Sequence, residues 1–226
     1  METSLHRQLK QLYATGNATQ ETRLDGFRID VVRGRQLIEI QHGSLAAIRR
    51  KVHRLLDQHQ VLVVKPLIVR KYLIQCDTKD GPPLSRRLSP KRGSILSLFE
   101  ELVYFVHIFP HRNLILETPL VEIEEWRYAG HGRRRRWRRN DFQVADQKLI
   151  CLHGIERFRT PRDLLRLVPS SLCSPFHTGD LAQALDVRRW VAQRIAYCLR
   201  HSGAVQTVGK AGNAHLYQIA RRRRVG

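Results

Sequence analysis

Residues 26–41, GFRIDVVRGRQLIEIQ, have the fewest ways to fold of any stretch in the chain. Two apolar runs flank Arg33-Gly34-Arg35, and the glycine supplies the backbone freedom of a tight turn. The stretch therefore predicts two strands joined as a hairpin. Strand side chains alternate between faces. On the first strand this groups Arg28 with Asp30, against Phe27, Ile29 and Val31. On the second it groups Leu37, Glu39 and Gln41, against Ile38 and Ile40. Pairing of the strands brings Asp30 and Glu39 together near one edge. Neighbouring carboxylates repel, and one pKa rises unless a cation lies between them. Hard oxygen donors of this kind suit Mg²⁺, which takes one or two carboxylates and fills its shell with water and phosphate oxygens.

Charge says what such a site would meet. The 226 residues carry a formal net charge of +20, and a field of that sign steers a protein toward polyanions, nucleic acid first among them. Two arginine clusters, six residues within 133–139 and four at 221–224, supply ten of those charges, and removing them still leaves +10. The four cysteines, Cys76, Cys151, Cys173 and Cys198, form no CxxC, which argues against a zinc site or a disulfide framework. The eleven histidines are scattered, and Pro110 breaks a helical reading of His107 and His111. The polar start METSLHRQLK and the lack of a long apolar run predict a soluble, cytoplasmic protein without a membrane partner.

In chain order, residues 4–14 predict a short amphipathic helix, and 20–25 an edge-like strand leading into the hairpin. His42-Gly43 end the second strand, and Ser44 caps a helix over 45–58 with Leu45, Ile48, Val52, Leu55 and Leu56 buried. Residues 61–69 read as a buried strand with Pro66 at its end or edge. Together these predict an α/β core with a right-handed crossover. Residues 85–94 gather Arg86, Arg87, Lys91 and Arg92 ahead of a helix at 95–107, either as a phosphate contact or as a solvated loop. Residues 113–128 are strand material with an irregularity at Pro119.

Composition then changes sharply. Residues 129–140 form an arginine-rich linker or arm in which Arg134, Arg135, Arg136 and Trp137 are nucleic-acid contacts or inert spacer. Residues 141–153 fit a helix or a strand. Thr160-Pro161-Arg162-Asp163 opens one helix, Thr178-Gly179-Asp180 a second, and a third spans 188–202 before Gly203. Two strands, 204–208 and 214–219, close the chain around the turn GKAGN. This is a winged-helix arrangement with a basic third helix whose Arg188, Arg189, Gln193, Arg194 and Tyr197, with Lys210 on the wing, are placed for DNA. The alternative is a protein-docking or dimerisation module.

Asp30, Glu39-Ile40-Gln41 and the helix and strand after them resemble the PD-(D/E)XK nuclease superfamily. In this resemblance the sequence is an ExQ variant, similar to competence-associated nuclease-like proteins. It implies a restriction-endonuclease-like α/β (α+β) core at 1–128, with a mixed central sheet flanked by helices. A linker at 129–140 and a winged-helix DNA-binding domain at 141–226 would follow. It further implies that Asp30, Glu39 and the Ile40 carbonyl hold Mg²⁺ or Mn²⁺. A lysine ordinarily follows the Glu by two residues; here Gln41 stands there, with Lys51 and His42 as candidate substitutes and Glu21 as an additional upstream acid. The expected function is metal-dependent cleavage of double-stranded or branched DNA by a cytoplasmic, nucleoid-associated protein, with a homodimer as an option. The alternatives are a catalytically inactive nuclease-like DNA-binding or regulatory protein, and an RNA-binding protein.

Overall fold

A computed structural model of the chain describes residues 2–130 and 141–220. Both arginine clusters, and with them Arg134, Arg135, Arg136 and Trp137, lie outside the described residues. The chain divides into two compact units. The first is Met1–His42, Val64–Ser94 and Thr118–Glu156; the second is Gly43–Val63, Ile95–Glu117 and Arg157–Gly226.

The chain opens with α1 (Ser4–Tyr13), β1 (Thr19–Leu24), β2 (Phe27–Arg33), β3 (Gln36–Ile40), α2 (Arg49–Leu55) and β4 (Gln60–Val64). It continues through β5 (Leu67–Cys76), β6 (Pro83–Leu88), α3 (Leu98–Leu102), β7 (Leu114–Ala129) and β8 (Phe142–Phe158). It ends with α4 (Pro161–Leu165), α5 (Thr178–Ala184), α6 (Arg189–His201), β9 (Val205–Ala211) and β10 (Ala214–Ile219). The hydrogen-bonded order of the large sheet is β1-β2-β3-β4-β7-β5-β6, with β8 paired to β7. Pairing is antiparallel in β1–β2–β3 and β5–β6, and parallel between β5 and β7. The fold is α/β, a large mixed sheet with flanking helices.

In the first unit the turns set the meander. Asp25 and Gly26 both adopt positive φ (50° and 77°) between the paired Leu24 and Phe27, the left-handed pair that matches the twist of a two-residue hairpin. Gly34, at φ 58°, closes the second turn between Arg33 and Gln36. Helix α1 is capped by Thr3, whose Oγ1 accepts from the His6 N–H at 3.4 Å. Its Leu5, Leu9 and Tyr13, at i, i+4 and i+8, are buried, and α1 packs on β2 and β3. Each buried leucine contributes roughly 1.5–3 kcal/mol.

The second unit is built on Phe99, Leu102 and Phe105 from α3 and the turns after it, and on Ala192, Ile195, Cys198 and Leu199 of α6, all buried. The Cys198 thiol donates to the Phe99 carbonyl at 3.7 Å, and burial pushes its pKa up to about 12. Helices α4, α5 and α6 precede the β9–β10 hairpin. Phe176, ahead of α5, exchanges two backbone hydrogen bonds with Tyr217 of β10, at 2.9 and 2.7 Å.

Several boundaries differ from the sequence reading. The helix at 45–58 is a 3₁₀ turn (Leu45–Ile48) followed by α2, and the strand at 61–69 is two strands separated by Lys65-Pro66. Residues 83–88 are a strand, so half of the basic segment is sheet edge and not loop. β7 runs straight through Pro119, which is buried within it. The ambiguous stretch after 141 is strand β8, which pairs with β7 and falls, to Glu156, in the first unit. The cap of α5 is His177, one residue before the expected Thr178, and β9 runs on to Ala211 before a turn at Gly212-Asn213.

Candidate active site on the strand meander

The registers align three carboxylates. β1 pairs with β2 as Gln20↔Val31 and Thr22↔Ile29, so Glu21 lies level with Asp30. β2 pairs with β3 as Val31↔Ile38 and Val32↔Leu37, and one step further Asp30 stands opposite Glu39. Directly opposed residues share a face with Cβ atoms about 5 Å apart. Glu21, Asp30 and Glu39 therefore form a row across three adjacent strands. Glu39 is 4% exposed, and the Asp30 Oδ2 accepts from the Ile40 N–H at 2.8 Å, which fixes its carboxylate over the partner strand. Glu21 adopts a left-handed backbone, φ 57°, a conformation that costs a non-glycine residue about 1 kcal/mol or more.

Helix α1 supplies the opposite charge. Glu2 precedes it, and His6 and Lys10 follow at successive four-residue steps, so all three lie along one stripe. The Lys10 Nζ lies 2.5 Å from Glu2 and 2.6 Å from Glu21. Burial works against its charge, yet the hydrogen bonds to Glu2 and Glu21 hold its pKa above the ordinary value. Glu21 is bonded by Lys10 and by Arg28, in that order of effect, and its pKa falls to about 2. The His6 Nε2 stands 3.4 Å from the Asp30 Oδ1 and 3.6 Å from the Glu2 carboxylate. These side chains, with Thr3 and His42, line a cleft of about 350 Å³.

At the end of β3 the Gln41 N–H donates to the Val64 carbonyl at 2.8 Å. β3 and β4 are adjacent and joined through α2, the crossover that parallel strands require. In a parallel ladder this bond sets Gln41 beside Lys65. Lys65 is 4% exposed, and its Nζ donates to the His42 carbonyl at 3.1 Å. His42 has its pKa lowered by burial first, then by the charges of Lys65 and His6. Deeper in the same unit, the buried Glu125 accepts from Lys71 at 2.8 Å, from Gln147 at 2.9 Å and from Arg127. Burial opposes its charge, but these bonds hold its pKa below the usual carboxylate range.

The structure thus brings Asp30, Glu39, Ile40, Gln41 and Glu21 onto one meander. Lys51 is half-buried on α2, within the other compact unit. His6, Lys10, Lys65 and Glu125 had no place in the sequence reading. Lys65 had a signal, a single charge inside the apolar run VLVVKPLIV. His6 and Lys10 had one too, their four-residue spacing on α1.

The expected nucleic-acid contacts sort into committed and open groups. Arg86 stacks 3.7 Å over the Tyr72 ring and pairs with Glu124 at 3.1 Å, while Arg87, Lys91 and Arg92 are exposed. On α6, Arg194 lies over the Trp190 ring and 3.4 Å from Glu100, which turns it toward α3. Arg189, Gln193, Tyr197 and Arg200 line a groove of about 550 Å³ with Thr178, Asn213, His215 and Tyr217. Among the described residues no acidic side chain lines it. Arg188 is exposed at the α6 cap, and Lys210 pairs across the hairpin with His215.

Among the described residues no three His, Cys, Asp or Glu side chains are placed to share one ion. Glu21 is engaged by Lys10 and Arg28, and Asp30 by the Ile40 amide and His6. Asp30 lines the cleft and Glu39 is buried beside it on the next strand; carboxylate oxygens suit Mg²⁺, which keeps several waters and rarely takes an all-protein cage. Among the described residues no helix is long and apolar enough to cross a membrane.

A protein from Treponema pallidum (strain Nichols), described as uncharacterized, is 31% identical over 219 residues, covering 96% of this chain and 85% of its own length. No solved structure matches. The family described as "Domain of unknown function (DUF8091)" matches residues 3–159, which hold the meander and all of the cleft lining except Glu2. The chain belongs to the DUF8091 family.

Proposed function

We propose that the chain is a metal-dependent DNA-processing nuclease of the PD-(D/E)XK type, with a winged-helix DNA-binding part after the sheet. The observation that carries this reading is the opposition of Asp30 and Glu39 on adjacent strands, with Asp30 fixed by the Ile40 amide. Asp30, Glu39 and the Ile40 carbonyl would hold Mg²⁺ or Mn²⁺. When bound there, the ion supplies Lewis acidity toward the phosphate and the attacking water. Gln41, on the Glu39 face, orients that water by hydrogen bonding.

Three helices, a hairpin and the Phe176–Tyr217 bridge support the winged-helix reading. The groove on α6 fits a phosphate backbone through Arg189 and Arg200, an affinity that depends on salt more than on sequence. A charge of +20 favours the same partner and a cytoplasmic, nucleoid-associated location.

The test incubates plasmid, single-stranded and branched DNA with the protein in Mg²⁺ or Mn²⁺, beside Asp30→Ala and Glu39→Ala. Cleavage by the wild type and a loss of about 100-fold or more in each variant is expected. Cleavage unchanged by both substitutions overturns the assignment of the site. A second reading, a non-catalytic DNA-binding protein, draws on the pairing of Glu21 with Lys10 and Arg28 and on Gln41. Unimpaired DNA binding without cleavage of any substrate selects it.

A further inference from the structure

Arg189, Gln193, Tyr197 and Arg200 recur at steps of four, four and three residues, so they share one face of α6. That face does not stand clear of the fold. The β9–β10 hairpin walls it with Asn213, Ala214, His215 and Tyr217, and helix and hairpin together enclose the groove of about 550 Å³. A helix that reads a duplex must project, because its own body, about 10–12 Å across, fills a major groove about 12 Å wide. A face walled by a hairpin does not enter in that way. The groove falls instead within the range of about 300–1,000 Å³ typical of clefts that enclose a small molecule. That is the scale of a nucleotide and not of a double helix.

The lining has the chemistry of a nucleotide's own parts. Among the described residues, no hydrogen bond or ion pair engages the side chains of Arg189, Gln193 or Asn213. Arg200 meets only the neutral partner His201, Nη2 to Nε2 at 2.9 Å, so its charge is not compensated. Two guanidinium charges are thus left for phosphate oxygens, and two amides, each both donor and acceptor, for base edges. The rings are held in place. Tyr197 is half-buried with its ring 4.2 Å from that of His201, and Tyr217 is buried with its ring 6.4 Å from that of the exposed His215. Fixed rings between cations form a platform on which unpaired bases stack. In a duplex the base faces are already stacked on one another.

We infer that the α6 groove takes an unpaired stretch of DNA, with bases against the Tyr197 and His215 rings and phosphates against Arg189 and Arg200. The inference rests on the DNA-binding reading above and names its substrate class: DNA with a single-stranded end or branch. A duplex meets only the arginines, through its backbone, so the groove holds both forms and prefers the unpaired one.

The experiment titrates the full chain, with divalent metal chelated so that no strand is cut, against three labelled probes of one sequence. These are a short single DNA strand, its duplex and the matching RNA strand. The single DNA strand is expected to bind about tenfold tighter than the duplex at equal salt. Tyr197→Ala and His215→Ala should each lower single-strand affinity by about tenfold, and leave duplex affinity within about twofold. Tyr197→Phe, which keeps the ring, should stay within about twofold on both. Thermal unfolding is measured beside each variant, and the exposed His215 supplies the test if Tyr197→Ala does not fold. A duplex bound as tightly as the single strand overturns the inference and leaves the groove as a phosphate contact. An equal loss on both probes in folded variants overturns it too, since rings that only pack the hairpin on α6 would act on both forms alike. RNA bound more than about tenfold tighter than the matching DNA overturns DNA as the strand. No binding of any probe overturns the DNA-binding reading itself.

Discussion

The cleft beside α1 and the groove along α6 are both rich in cations, but they use them differently. In the cleft Lys10 has Glu2 and Glu21 within reach and Arg28 has Glu21, while the His6 ring lies beside Asp30 and Glu2. In the groove Arg189 and Arg200 stand among Gln193, Tyr197 and His215, with no acid in the lining among the described residues. Interlocked opposite charges fix side chains in place, which chemistry on one phosphate requires. Uncompensated arginines instead attract any polyanion, at an affinity set by counterion release. Under the proposed function, the same excess of positive charge would fix geometry in one unit and attract nucleic acid in the other.

The largest effect expected from breaking this contrast lies in α1. Leu5 and Leu9 are fully buried and hold the Glu2-His6-Lys10 stripe over the meander. Leu9→Ala is expected to cost about 3 kcal/mol of stability, read from urea unfolding. At temperatures where the variant stays folded, cleavage should fall while DNA affinity remains within about twofold. Equal loss of both would mean that the cleft and the groove are not separate functions.

A middle-sized effect separates the two faces of α6. Arg189→Ala with Arg200→Ala should reduce the slope of log affinity against log salt by about 1.8, near 0.9 for each lost phosphate contact. Arg194→Ala should leave that slope unchanged, because Arg194 is held by Trp190 and Glu100. A titration of fluorescent duplex DNA at several salt concentrations measures it. A larger effect at Arg194 would place the DNA on the other face of the helix.

What was legible in the sequence follows the same physics. The β2 strand alternates cleanly, Ile29 and Val31 buried with Arg28 and Asp30 outward, so the first half of the hairpin could be read residue by residue. β3 does not alternate: Leu37, Ile38, Glu39 and Ile40 are all buried, because the strand is covered on both faces. Period two carries no information there, and Glu39 was picked out by its pairing with Asp30 and by its place in Glu39-Ile40-Gln41. Lys65 was hidden by adjacency, since its neighbour Gln41 is 24 residues away in sequence and the helix α2 lies between them. β8 was ambiguous because its face is half-exposed over most of its length, which leaves neither periodicity dominant. Helix caps were legible where the signal is local, as at Thr160-Pro161, and missed by one residue where a histidine did the capping.

The smallest effect concerns what holds the groove's own unit together. The Asp163 Oδ2 accepts from the backbone N–H of Arg159 and of Thr160, each at 2.8 Å, at the start of α4. Burial of the carboxyl opposes its charge, but these bonds win and hold its pKa below the ordinary 3.8. A carboxyl depressed in the folded state adds stability that is complete above the unfolded pKa and disappears as pH falls through the folded one. Asp163→Ala should therefore cost about 1 kcal/mol at pH 7. The difference from wild type should shrink once the pH drops below about 4, where the carboxyl of the unfolded chain begins to protonate. Urea unfolding of both proteins at pH 7 and pH 3 measures it. The cleft gives the control: Lys10 and Arg28 hold Glu21 down to about 2, so its pairing should survive at pH 3 while the α4 cap weakens. A difference that stayed constant between the two pH values would mean that Asp163 acts by packing and not by its charge.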